Sequence, residues 1–302
     1  MFGNSSIYVM SPSNKIYRLE TDLETQKGIN DTFSSAVLLM TDGKSCIDFD
    51  GNYKPEADEF LRISDFRLPE VIKEAIKNPV GVTAYEKDSK EKENKAFQGY
   101  PKIKAVFVGE RFEENGIEFF NIAFQRFRKE QNLMALKHMM FWNDSTFQQV
   151  NDFGIGITDT VDCIFSKFGL CFNSYYYARQ IFDLKDYYRI ATEKEVNAFS
   201  ANNRLYFENA DLFISFANKA SLRRKIALIN DSGVLENFTA KQIKELASKA
   251  GLTIKIKNNK IVIPDDKDKM LVILATLNEE AYRGMFTNNL IVANSKRIVA
   301  KV

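Results

Sequence analysis

Near residue 185 the apolar pattern of this 302-residue chain changes its period. Upstream, short runs rich in Phe, Ile, Val and Tyr alternate or are apolar throughout, as strands require; downstream, apolar residues recur every three to four positions, the helical spacing. The expected fold is α+β. A mixed or antiparallel sheet fills an N-terminal subdomain over 1–186, and a mainly helical subdomain carrying a β-hairpin fills 187–302. No Pro/Gly/Ser linker marks the junction, so the second is expected to pack on the first.

In the first half, Ile7–Met10 and Lys15–Thr21 flank the turn-forming Ser11-Pro12-Ser13-Asn14 and read as a hairpin. Leu68, Val71, Ile72, Ala75 and Ile76 lie on one helical face, with Asn78-Pro79 as the stop. Glu86–Lys95 is wholly polar and reads as a solvated loop. Ile103–Val108 and Ile117–Arg128 predict a long hairpin, its second strand covered on both faces. Thr158–Leu184 reads as strand, tight turn at Ser166–Gly169, strand, then a helix from Asn173 or Ser174.

The second half predicts helices at Glu193–Phe199, at Leu205–Lys219, through a basic segment to Ile229, and at Thr239–Ala250. The last has a capping box at Thr239–Gln242 and a stop at Gly251. Thr253–Lys257 and Lys260–Ile263 form a hairpin around Asn258-Asn259, which suits a type I′ turn. Pro264-Asp265-Asp266 opens a further helix, and Leu290–Ala293 is a closing strand.

Charge is informative only when resolved along the chain. The total is +2, from 42 basic and 40 acidic residues. Residues 1–150 carry −3 and 151–302 carry +5, and the stretch Lys219–Ile263 alone holds ten basic and three acidic residues. A polyanion would dock there. No run of 18 apolar residues exists to span a membrane, and the first residues lack a basic and apolar leader pattern, so a cytoplasmic location is expected. Cys46, Cys163 and Cys171 have neither zinc-site nor disulfide spacing and read as reduced core residues.

Catalytic signatures are sparse. His138 is the one histidine, set among Leu133, Met134, Leu136, Met139 and Met140. Gly154-Ile155-Gly156 lacks the third glycine of a dinucleotide fingerprint, and no Walker sequence occurs. No cofactor or metal is expected and no catalytic residue is assigned. The alternative enzyme is a Mg²⁺-dependent nuclease built from Asp48, Asp50, Glu93 and Lys95, although Glu93-Asn94-Lys95 sits in the most hydrophilic loop rather than on a core strand. The candidate DNA-binding residues are Arg223, Arg224 and Lys225, of which at most two can share a helical face. Lys255 and Lys257, on a hairpin after the Lys241, Lys244 and Lys249 helix, resemble a wing and helix. Lys296 and Arg297 complete the set. Tyr175-Tyr176-Tyr177 reads first as packing of a helix on a sheet and second as a platform for unpaired bases. A further alternative is a module whose basic surface meets an acidic protein or anionic lipid.

Several stretches carry a likeness. Val161-Asp162-Cys163-Ile164, Leu170-Cys171-Phe172-Asn173, Ile181-Phe182-Asp183-Leu184, Ile229–Leu235, Lys260–Lys267 and Ala293-Asn294-Ser295-Lys296-Arg297 resemble the KwaB family of the bacterial Kiwa anti-phage system. The likeness covers roughly the C-terminal half. It implies a defence effector without established enzyme chemistry that binds DNA, forms a homodimer, and acts with a separate membrane sensor, KwaA.

Overall fold

The computed structural model of the protein describes residues 1–87, 99–132, 140–143, 146–149, 154–293 and 295–297, those of 140–149 by their backbone alone. Most of the Glu86–Lys95 loop lies outside the described residues. The chain divides into two units, residues 1–49 with 55–184 and residues 50–54 with 185–302.

Unit 1 opens with the expected hairpin, β1 (Ile7–Met10) and β2 (Ile16–Leu19). Next comes α1 (Leu23–Thr41), a helix that the sequence reading left out. Asp22 caps it by accepting from the Thr25 amide at 2.8 Å, and Phe33, Ala36, Val37 and Met40 form its buried stripe. β3 (Ser45–Asp48) and β4 (Glu59–Ile63) pair in parallel. α2 (Glu70–Lys77) buries Ile72, Ala75 and Ile76, and Tyr8 of β1 donates to the Ala75 carbonyl at 2.9 Å. β5 (Ala105–Glu114) and β6 (Ile117–Arg126) form the long hairpin, and β6 is buried from Ile122 to Gln125, so both its faces are covered. β7 (Met140–Asn143) and β8 (Thr146–Gln149) pair apart from the main sheet. β9 (Cys163–Ser166), β10 (Gly169–Phe172) and α3 (Tyr175–Ile181) follow as anticipated.

The main sheet has eight strands in the order β2-β1-β5-β6-β9-β10-β4-β3. It is mixed, because β3–β4 is parallel and every other pairing is antiparallel. Cys163 and Cys171 are buried in it, and burial pushes both thiols up, that of Cys171 to about 12. Cys46 departs from expectation: it lies exposed on the edge strand β3. The turn between β9 and β10 needs glycine, because Gly169 has φ +106° and a Cβ there would stand 2.2 Å from the Ile63 carbonyl oxygen of the paired strand. Gly169→Ala is therefore expected to cost at least roughly 1–3 kcal/mol of backbone strain, read as a lower urea midpoint; an unchanged midpoint would show that the turn relaxes freely.

Unit 2 contains α4 (Glu193–Ser200), β11 (Leu205–Phe207), α5 (Ala210–Ala217), α6 (Ala220–Ser232), α7 (Val234–Asn237) and α8 (Ala240–Lys249). The expected Leu205–Lys219 helix is thus a short strand followed by a helix that Asn209 caps through the Leu212 amide at 2.9 Å. β12 (Ile256–Lys257) and β13 (Lys260–Ile263) form the predicted hairpin, with Asn258 and Asn259 both at positive φ as a type I′ turn requires. β11 joins β13 in parallel. α9 (Lys267–Leu277), capped by Asp266, precedes the hairpin of β14 (Ala281–Arg283) and β15 (Leu290–Val292). Phe199, Phe213, Ile226, Ile229, Ile261, Ile263, Met270 and Leu274 are among the side chains of the shared core. Of nine α-helices among the described residues, six belong to unit 2, so the architecture is α+β with the helices gathered in the C-terminal half. Among the described residues no helix is long and apolar enough to cross a membrane.

The N-terminus of α4 carries a titrating cap. Glu195 accepts from the Thr192 amide at 2.8 Å and from Arg189 Nη2 at 2.7 Å, and Arg189 also bonds Asp231. The Arg189 hydrogen bond, seconded by the Thr192 amide, pulls the Glu195 carboxyl down to about 2 from 4.5. A depressed carboxyl stabilises the fold above its unfolded value, so this contribution is lost as pH falls from about 4.5 toward about 2. Carbon-detected NMR titration of Glu195 should give a midpoint near 2 that rises in Arg189→Ala; a midpoint in the ordinary carboxylate range would remove the claim.

Candidate nucleic-acid interface

The three adjacent cations of α6 have different environments. Leu222, Ile226 and Ile229 face the core at helical spacing, and Arg224 and Lys225 fall close enough to that stripe to be buried with them. Arg224 Nη2 donates to Asn52 Oδ1 at 2.8 Å and to the Asp50 carbonyl at 3.3 Å, Nη1 reaches the Arg189 carbonyl at 3.4 Å, and the guanidinium stacks 4.0 Å from the Tyr188 ring centre. It holds the Asp50–Lys54 segment, in which Gly51 leaves the space its guanidinium occupies. Lys225 forms an ion pair with Glu280 at 11% side-chain exposure on each partner. Asn278 Nδ2 donates to the other Glu280 oxygen at 2.7 Å, and Lys296 Nζ donates to the Asn278 carbonyl. The geometry therefore departs from a solvated cationic turn: Arg224 and Lys225 are internal side chains, and Lys296 is half-buried on the same network. Arg223 is half-buried, 3.5 Å from Asn218 Oδ1, and the exposed Arg297 lies 5.7 Å from the Tyr53 ring centre.

The exposed charge lies farther along. Ile243 and Ala247 turn α8 toward the core and leave Lys241, Lys244 and Lys249 in solvent. α8 packs against β12, and along the segment that leads into this strand Ile254 is buried while Lys255 and Lys257 are exposed. Lys257 Nζ donates to the Tyr206 hydroxyl at 2.8 Å. Among the described residues none of these five lysines is ion-paired, and Glu245 is the single carboxylate on α8. Together they put five exposed cations on one helix and on the segment that runs into the strand packed against it. It has the chemistry to hold phosphates, whereas it offers few side chains that read base edges.

The carboxylates of the alternative enzyme are engaged locally. Asp48 accepts from Arg62 Nε at 2.9 Å and Nη2 at 2.7 Å, and Asp50 Oδ1 accepts from the Asn52 amide at 2.7 Å. Glu93, Lys95 and His138 lie outside the described residues. Among the described residues no group of three or more His, Cys, Asp or Glu side chains converges as a metal site. Gly154-Ile155-Gly156 supplies backbone rather than a phosphate cradle, since the Gly156 amide donates to the Gln131 carbonyl at 2.7 Å.

The family model described as Kiwa protein KwaB-like matches residues 102–287, more than half of the chain. The chain belongs to the KwaB-like family. It is thereby a component of Kiwa anti-phage defence. No curated protein and no solved structure matches it. In this KwaB-like chain the matched stretch runs from just before β5 to the tip of the β14–β15 hairpin, so it takes in all five exposed lysines, while Lys296 and Arg297 fall beyond its end. Sequence reasoning assigned Lys255 and Lys257 to the candidate site and left out Lys241, Lys244 and Lys249, whose signal is the polar face opposite the Ile243 stripe.

Proposed function

We propose that this Kiwa component binds duplex DNA without sequence preference through Lys241, Lys244, Lys249, Lys255 and Lys257. The observation that carries the reading is that five exposed lysines, none of them ion-paired among the described residues, lie on α8 and on the segment running into the β12 strand that packs against it. Each lysine that neutralises a phosphate releases condensed counterions, so the affinity falls steeply with salt and depends little on sequence. Arg223 and Arg297 are not among these five, and Arg224, Lys225 and Lys296 contribute by holding the fold. Homodimerisation and action beside the membrane sensor KwaA, which the family resemblance implies, belong to the same reading. Electrophoretic mobility shift of two unrelated duplexes at low and physiological salt tests it. Binding to both that weakens with salt is the expected result, and absence of a shift at low salt would overturn it.

A further inference from the structure

Tyr175, Tyr176 and Tyr177 do not act as one packing element. Tyr175 stacks on Phe49, with ring centres 5.2 Å apart and planes within 10°, and so fastens α3 in unit 1. Tyr176 and Tyr177 are 58% and 38% exposed. Cations surround both. The Arg126 guanidinium lies 3.6 Å from the Tyr177 ring centre, and that of Arg179 lies 5.3 Å from the Tyr176 centre. The two rings stand 5.6 Å apart at 60°.

The support beneath them is rigid. Asp162 is buried, accepts from the Arg126 amide at 2.8 Å and from its Nε at 3.2 Å, and lies 3.7 Å from Arg128 Nη2. A buried amide pair, Gln131 Nε2 donating to Gln125 Oε1 at 2.6 Å, locks the end of β6, and Gln131 Oε1 accepts from the Arg128 amide at 2.8 Å. Arg128 Nε is buried there without a hydrogen-bond partner. Two guanidinium groups, those of Arg126 and Arg128, thus face one carboxylate, and a third, that of Arg179, lies beside two tyrosines that keep exposed surface.

Cations alone would suit any acidic surface. Aromatic faces interleaved with arginines suit bases freed from a duplex, because every base has a face that stacks and a phosphate that pairs with a cation. We infer that the junction of β6 and α3 is a single-stranded nucleic acid site, where unpaired bases stack on Tyr176 and Tyr177 and Arg128 and Arg179 hold the adjoining phosphates. The site shares no residue with the lysine surface of unit 2 and stands independently of it.

The test uses the full chain with two fluorescent probes, a 15-nucleotide oligo-dT carrying one 2-aminopurine and a 15-base-pair duplex. The wild-type protein should bind the oligo-dT and quench 2-aminopurine. Tyr176→Ala with Tyr177→Ala should weaken that binding by about tenfold or more and abolish the quench, with duplex affinity and the thermal melt unchanged. Tyr176→Phe with Tyr177→Phe should retain both signals, since the ring faces remain. Failure of the wild type to bind oligo-dT, or an alanine pair that binds and quenches like wild type, would overturn the inference. Loss of duplex binding alone would instead count against the lysine surface.

Discussion

Replacing Lys241, Lys244, Lys255 and Lys257 together by Ala should flatten the dependence of log affinity on log salt for duplex DNA by about 3.6. Each phosphate contact contributes about 0.9 to that slope, and the four side chains are exposed on α8 and on the segment that runs into β12. At low salt the affinity should drop on the order of a hundredfold, equally for unrelated duplexes, since the lost contacts are to phosphates. Burial is untouched, so the melting curve should stay in place. A parallel shift of the salt plot with unchanged slope would move the contact surface elsewhere in the chain.

The second large effect is on stability. Lys225→Ala leaves the Glu280 carboxylate buried with, among the described residues, only the Asn278 amide to satisfy it. Breaking a buried pair from one side costs about 3–5 kcal/mol, a large share of the roughly 5–15 kcal/mol that holds a domain folded. The melting temperature should fall by on the order of 10 °C. Replacing both partners with apolar side chains of similar volume, Lys225→Met with Glu280→Leu, should restore most of the loss. The double variant should also bind duplex DNA as the wild type does, which separates a framework role for Lys225 from phosphate contact. A single variant melting within roughly 2 °C of wild type would show that Glu280 finds another partner, and a folded double variant that no longer binds duplex would place Lys225 in the interface.

The legible parts of the fold were those with local signals. Asn258-Asn259 is a turn by its own chemistry, Thr239 and Asp266 are caps by theirs, and the long β5–β6 hairpin follows from its aromatic density. α1 escaped notice because its apolar stripe occupies only its second half, after a polar start that includes Gly28, while Leu38 and Leu39 point outward and blur the period. β11 escaped because three consecutive apolar residues have no period, and its partner β13 lies more than fifty residues away. At the candidate site the charge was legible but its placement was not. The spacing of Lys225 from Leu222, Ile226 and Ile229 marks it as core-facing, yet its neutralisation depends on Glu280, 55 residues downstream. The sequence reading favoured packing for the tyrosine triplet. The structure divides the triplet, and Tyr177 is exposed beside a cation because Arg126, fixed by Asp162 just before β9, lies against it.

One hydrogen-bonded layer crosses the limit of the family match. β5 takes β1 as its neighbour with Ile7 opposite Val108, and β10 takes β4 with Ile63 opposite Leu170. Both neighbours come from before residue 102, where the match begins. A fragment trimmed to the matched stretch would therefore keep four strands of the eight and present two raw sheet edges, each a template for pairing with another chain. A piece of unit 1 that keeps the partners of β5 and β10 reaches back to Ile7, so a boundary drawn by sequence likeness and one drawn by the backbone ladder divide this protein at different places.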